Sequence, residues 1–297
     1  MSFLGSRLPT GTISSSLALS ARGNITPGSA DADAVITFTT GIGYETIKAL
    51  YASSQLYTIL MGSRSLEKAK DAISKLQNEI SGSKSQVEAI QIDIEDDASI
   101  EKAFEEVKSK YSRLDTLVNN AGGSFDRILR DDYSPKGIRA AWDNTYSLNV
   151  TSTQVVTHTF APLLIASSSP RLIFVTSALS SLDTCAGGFD SKLVNTAPPK
   201  GWPKPLSPTP TAYRSSKTAL NMLMLYWART LYADGVKVFC VSPGFLATGL
   251  GGMGPDFLKR MGAGDASIGG EFIRDVVEGK RDEDAGKVID KDGVQHW

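Results

Sequence analysis

The stretch Ala34-Val35-Ile36-Thr37-Phe38-Thr39-Thr40-Gly41-Ile42-Gly43 decides how the rest of the chain is read. Its first five residues form a short β-favouring apolar run, and the glycine pair that follows opens a helical stretch. A glycine-rich turn from strand to helix lets backbone approach a pyrophosphate and aims a helix amino terminus at its charge. Gly41, Ile42 and Gly43 are therefore candidate contacts for a dinucleotide. Glycine pairs are common in turns, so the weight of this one depends on its surroundings.

Working outward, similar apolar runs recur at Tyr57–Met61, Val87–Ile92, Leu114–Val118, Leu172–Thr176 and Val236–Val241, with a last short one at Val288–Ile289. Each is almost continuously apolar, as strands covered on both faces must be. Between them lie helical stretches at Ser65–Ile80, Ser99–Tyr111, Trp142–Leu164 and Ala212–Ala233. Ser65 stands where its hydroxyl can cap the amide of Lys68. Leu220, Leu223, Met224, Trp227 and Leu231 recur at helical spacing and read as core. The alternation predicts an α/β fold: one doubly wound Rossmann-type domain over residues 34–297, with a mostly parallel sheet of seven strands. Two segments interrupt the rhythm, Asp183–Pro210 with its Pro, Gly and Ser, and the glycine-rich Gly249–Gly270. They are expected to be irregular loops on the substrate side.

Composition narrows the function classes. Lys and Arg total 31 against 32 for Asp and Glu, and no basic cluster marks a nucleic-acid footprint. With only Cys185, Cys240, His158 and His296 available, no metal site at the usual spacing is expected. No apolar run has the length of a membrane span. Residues 1–33 carry Arg7, Arg22 and many hydroxyl residues. They are expected to be a disordered or wrongly assigned segment, with a mitochondrial presequence as the alternative. The expected location is cytoplasmic, the expected partner is a small molecule, and monomer and homo-oligomer both stay open.

The chemistry begins at the end of the second strand, Met61-Gly62-Ser63-Arg64. A carboxylate there would bind the adenosine ribose of NAD. Arg64 stands in its place, suited to the extra phosphate of NADP(H), unless it is an ordinary surface arginine near a helix start. Further on, Asn119-Asn120-Ala121-Gly122 follows the fourth strand, and Asn149, Ser177, Tyr213-x-x-x-Lys217 and Pro243-Gly244 come after it in that order. This set resembles the short-chain dehydrogenase/reductase family, and is most similar to fungal carbonyl-reductase-like members, from Ala34 to the carboxyl terminus. A second Tyr-x-x-x-Lys, at Tyr44 and Lys48, shows how little that spacing means alone. It precedes every candidate active-site serine and is assigned no role.

Residues four apart share a helix face, so Tyr213 and Lys217 project into one site. A free phenol titrates at about 10, and a nearby ammonium is expected to lower that value. Tyr213 is then the expected general acid. The resemblance implies that Lys217 also binds the nicotinamide ribose, that Ser177 polarises the substrate oxygen, and that Asn149 seats a water in a proton relay. Ser177 also belongs to a Ser/Thr cluster, and Asn149 has the plainer alternative of a bond within its helix. By the same resemblance Asp93 meets the adenine, and Asn120 and Gly122 line the adenosine side. Leu246 and Thr248 would hold the carboxamide. The implied activity is hydride transfer between NADP(H) and a ketone, aldehyde or secondary alcohol, on a fairly apolar small molecule.

One departure stands against this. The family's turn reads Thr-Gly-x-x-x-Gly-Ile-Gly, and counting back from Gly41 puts Thr37 at the first glycine and Thr40 at a position that is commonly basic. A β-branched residue fits a tight turn poorly. A non-catalytic protein with impaired cofactor binding is therefore the alternative.

Overall fold

The computed structural model describes residues 32–38, 41–187, 198–206, 209–252 and 254–297. Strands β1 (Asp33–Phe38), β2 (Tyr57–Ser63), β3 (Gln86–Gln91), β4 (Thr116–Asn119), β5 (Arg171–Val175), β6 (Lys237–Val241), β7 (Val288–Asp290) and β8 (Gly293–Val294) form one sheet. Its order is β3-β2-β1-β4-β5-β6-β7-β8. All neighbours are parallel except β7 and β8. Among the described residues the sheet therefore has eight strands rather than seven. The additional strand is two residues long, paired through Ile289 with Val294 and Asp290 with Gly293, too short to leave a hydrophobic pattern.

The helices are α1 (Ile42–Tyr51), α2 (Leu66–Glu79), α3 (Asp97–Tyr111), α4 (Ile128–Asp131), α5 (Pro135–Tyr146), α6 (Ser152–Ile165), α7 (Leu182–Gly187), α8 (Thr211–Thr230), α9 (Pro255–Arg260) and α10 (Ala266–Val277). Strand residues alternate between two cores, as the two-residue period of a strand requires. Val35, Ile59, Met61, Val118, Ile173 and Phe239 pack under α1, α2 and α10. Ile36, Leu60, Leu117, Leu172, Phe174 and Val238 pack under α3, α6 and α8. The core helix residues Leu220, Met224, Trp227 and Leu231 lie in this second layer, as their spacing indicated. Among the described residues no helix is long and apolar enough to cross a membrane.

Several boundaries differ from the sequence reading for identifiable reasons. The cap at Ser65 is present, its Oγ accepting from the Lys68 amide at 3.3 Å. The long helix before β5 starts earlier, at Pro135, where Ser134 caps the Gly137 amide. It is also broken by a π-turn at Ser147–Thr151. Gly249–Gly270 is not a loop throughout, because it holds α9 and the start of α10. Gly269 and Gly270 lie inside α10, where a β-carbon on Gly270 would come within 2.4 Å of the Glu45 backbone in α1. Those glycines serve close helix packing. In Asp183–Pro210 the first residues belong to α7, and 188–197 and 207–208 lie outside the described residues, as do 1–31.

Thr37 is not in a turn. It is an interior residue of β1, fully buried and in register with Met61, where a β-branched side chain is at home. Its hydroxyl donates to Asn120 Oδ1 at 2.9 Å and fastens β1 to the chain leaving β4. Thr40 lies outside the described residues.

Candidate active site

Between β1 and β4 the strand order reverses, and the crevice outside the carboxyl ends of the strands at such a reversal is where this architecture binds ligands. Gly41 opens α1 there with φ of 56°, a conformation strained for any residue with a side chain. Gly41 itself has no side chain to cap the first amides of α1, and among the described residues none does so. Across the crevice, Thr248 sits so that a β-carbon on Gly41 would be 3.7 Å from its own. Ile42 and Leu246 meet over α10, each within 3.4 Å of a β-carbon built on Gly269. The glycine turn and the loop after β6 are thus brought together.

Arg64 is exposed at the tip of β2, next to the strand end that leads to Gly41. Asp93 follows β3, and its Oδ1 accepts from the Glu95 amide at 3.1 Å, so part of this carboxylate shapes its own turn. Asn120 receives the Thr37 hydroxyl, as described. Gly122 must be glycine for a different reason. A β-carbon there would lie 2.8 Å from Asn149 Oδ1 and 3.3 Å from Lys217 Nζ.

The π-turn carries Asn149, fully buried, into this loop. Its Oδ1 accepts from the Gly123 amide at 2.8 Å. Its Nδ2 donates to the Gly123 carbonyl and to Ser216 Oγ, both at 2.9 Å. Every bond is directed across the fold, none within its own helix. An extra residue in a helical turn rotates the following side chains, and such turns occur often at functional sites.

Tyr213 and Lys217 lie one turn apart on α8, both buried. Ser177 follows β5, and its hydroxyl lies close enough to the Tyr213 phenol to pull its pKa down. Ser177 Oγ also caps the Leu179 amide at 3.2 Å. The neighbouring face of α8 grips the turn after Ser177. Arg214 Nε donates to the Leu179 carbonyl, Thr218 Oγ1 to the Ser180 carbonyl, and Asn221 Nδ2 to Ser180 Oγ. The carboxyl-terminal segment covers the same turn, with Ser181 Oγ donating to the Trp297 carbonyl at 2.9 Å. Of the Ser/Thr cluster, Thr176 and Ser180 bond to Asn221, and Ser177 is the one whose hydroxyl acts on the Tyr213 phenol.

The electrostatics differ from expectation in one respect. Burial raises the Tyr213 phenol to about 12, with the Ser177 hydroxyl pulling the other way. The sequence reading had Lys217 lowering it. Lys217 Nζ lies 5.7 Å from the phenol ring centroid, over the ring, and donates to the Val175 carbonyl at 2.8 Å. Burial also pushes the Lys217 ammonium down, to about 8. Desolvation therefore favours the neutral form of both groups. Gln295, whose Nε2 donates to Ser180 Oγ at 3.3 Å, and the α8 residues Arg214, Thr218 and Asn221 were not singled out in the sequence. Only their i, i+4, i+7 spacing beside Tyr213 and Lys217 could have marked the helical three.

The short chain dehydrogenase family profile matches residues 34–188. A short-chain dehydrogenase/reductase of a Phoma species, eupG, is 48% identical over 267 residues, covering 87% of this chain and 94% of the relative. Another, tropE of Talaromyces stipitatus, is 45% identical over 256 residues, covering 85% and 92%. Among solved structures, the NADPH-bound carbonyl reductase from chicken fatty liver superposes with a TM-score of 0.69 at 20% identity, covering 90% of this chain and 99% of that one. The RhlG/NADP complex of Pseudomonas aeruginosa gives 0.66 at 20% identity, covering 89% and 96%. At that identity the two structures speak for the fold alone, whereas the profile and the fungal relatives speak for ancestry. With the glycine turn, the Asn-Asn-Ala-Gly loop and the Ser177, Tyr213 and Lys217 cluster in one crevice, the chain belongs to the short-chain dehydrogenase/reductase family of oxidoreductases.

Proposed function

We propose that the protein is an NADP(H)-dependent carbonyl reductase, interconverting a fairly apolar ketone or aldehyde and its alcohol. The observation that carries this is the buried cluster at the end of β5: Tyr213 and Lys217 one turn apart on α8, with Lys217 Nζ 5.7 Å from the phenol ring centroid and Ser177 beside the phenol. The phenol carries the proton that a carbonyl oxygen would take; burial makes it a weaker acid than a free phenol, so its release would follow the charge developing on a substrate oxygen held by Ser177.

The residues fit a dinucleotide. Gly41, whose positive φ only glycine adopts readily, the start of α1 and the close approach of Gly122 to Asn149 and Lys217 form a cradle with little room for side chains. NADPH, when bound, supplies the hydride. Gly41, Ile42 and Gly43 receive the pyrophosphate, and Arg64 pairs with the ribose phosphate. Asp93, Asn120 and Gly122 line the adenosine side, and Leu246 and Thr248 hold the carboxamide. Lys217 binds the nicotinamide ribose, and Asn149 seats a water that returns protons to the site. The apolar character of the substrate is supported by Leu182, Trp202, Phe245, Leu250 and Met261, all exposed on segments that follow β5 and β6. Met253, in the same glycine-rich segment as Leu250, lies outside the described residues.

The non-catalytic alternative drew on Thr37 as a misfit in the turn, and its place inside β1 weakens that ground. The deciding experiment is fluorescence titration with NADPH and NADH, on the wild type, Arg64→Ala and Tyr213→Phe. NADPH should bind more tightly than NADH, and Arg64→Ala should weaken NADPH about 10- to 100-fold with little effect on NADH. Tyr213→Phe should retain binding and lose turnover across a panel of apolar ketones. If neither cofactor binds the wild type, the non-catalytic alternative is the better account.

A further inference from the structure

We propose that Asp126 is a positioning residue for Tyr213, holding the amino end of the catalytic helix in place of a local cap. Helix α8 is preceded by Pro210, which occupies the N-cap position and has no side chain able to accept from the first amides. Those amides have no partner within the helix. Asp126 fills the role from 86 residues away, in the loop between β4 and α4. Its Oδ1 accepts from the Ala212 amide at 2.9 Å, and its Oδ2 from the Tyr213 amide at 3.0 Å. Two bonds to one carboxylate fix its orientation as well as its distance. Ser124 Oγ, 2.9 Å from Oδ2, holds the carboxylate from its own side.

The same loop is fastened to α8 a second time. Gly123 is bound through both its amide and its carbonyl to Asn149. The Asn149 amide donates to Ser216 Oγ, which in turn donates to the Tyr213 carbonyl at 2.8 Å. The peptide of Tyr213 is thus gripped on both sides, at its N–H by Asp126 and at its C=O by Ser216. Both grips lead back to the Gly122–Asp126 loop. A residue that acts only through the backbone of the acid should govern how well the phenol is aimed, not how the cofactor binds.

This rests on Tyr213 as the acid, and the experiment separates the two ideas. Asp126→Ala, Asp126→Asn and the double variant Asp126→Ala/Pro210→Asp are compared with the wild type. The measurements are kcat and KM for a ketone, NADPH affinity by fluorescence, and amide exchange along α8. Pro210 already has the extended backbone of a capping residue, φ −73° and ψ 96°, so an aspartate there can reach the same amides. Asp126→Ala should lower kcat about 10- to 100-fold and leave NADPH affinity within about twofold. Exchange at Ala212 and Tyr213 should quicken about tenfold or more, with the far end of α8 unchanged. Asp126→Asn, which keeps the shape and one acceptor, should fall between, and it carries the test if Asp126→Ala does not fold. Pro210→Asp should restore most of the lost kcat. Unchanged exchange at Ala212 and Tyr213, kcat equal to wild type, or parallel loss of cofactor binding would overturn the proposal. If the wild type reduces no ketone, the reductase reading fails, and the exchange measurement alone still decides whether Asp126 holds the helix.

Discussion

Replacing Lys217 by Met should make the protein more stable at neutral pH, even as it removes the residue proposed to work beside Tyr213. Lys217 is 4% exposed, and its ammonium donates to one backbone carbonyl, that of Val175. Burial lowers its pKa from 10.5 to about 8. That difference corresponds to about 3 kcal/mol of unfavourable burial of the charged form. Losing the bond to Val175 costs on the order of 1 kcal/mol, and an unbranched Met fills a similar volume. The net gain is about 2 kcal/mol, or a rise in Tm of about 4–8 °C for a chain of this size.

The pH dependence carries the sign. Because the folded pKa lies below the unfolded one, both states hold the proton below about pH 8 and the penalty is complete there. Between about 8 and 10.5 the folded state sheds the proton first and the penalty shrinks. Thermal unfolding of both proteins, followed by circular dichroism without cofactor from about pH 6 to 10, should show the advantage of the variant fading over that upper interval. A variant less stable than wild type at pH 7, or a difference that stays constant across the range, would refute the reasoning.

Two further substitutions test the packing of the site. Gly122→Ala must displace Asn149 Oδ1 or Lys217 Nζ, since its β-carbon would sit 2.8 and 3.3 Å from them. Steady-state kinetics should show turnover down about 10- to 100-fold. Gly123→Ala, which meets only the flexible end of Leu148 at 3.1 Å, should lose far less. Gly270→Ala puts a methyl group 2.4 Å from the backbone of Glu45. Denaturant unfolding should register a loss of about 1–3 kcal/mol or more, because backbone cannot move aside as a side chain can.

The sequence made the parallel strands legible because residues buried on both faces leave unbroken apolar runs, as in Val35–Ile36 and Leu172–Phe174. Tyr213 and Lys217 were legible because one helix carries both at a fixed spacing. What could not be read depended on partners distant along the chain. The resemblance marked Asn149, but the π-turn that carries it into the site is announced by no local residue pattern. Asp126 caps a helix 86 residues later. Gly269 and Gly270 resembled loop glycines, since their composition is the same whether they serve a turn or a close crossing with α1. The suspicion cast on Thr37 came from aligning it with a turn, when it belongs to the strand.

The crossing of α1 and α10 also bears on when the site comes into being during synthesis. Helix α1 carries the glycine turn near the start of the chain, yet its seat is made by residues more than 200 positions later. Gly270 meets Glu45, and Ser53 donates to Glu278 at 2.6 Å. A nascent chain that has emerged as far as β5 already holds strands β1 to β4 but has nothing for the outer face of α1 to rest on. Contacts of such long sequence separation form late. The nucleotide crevice is therefore among the last parts of the molecule to be completed, and truncations from the carboxyl end should lose it before they lose the sheet.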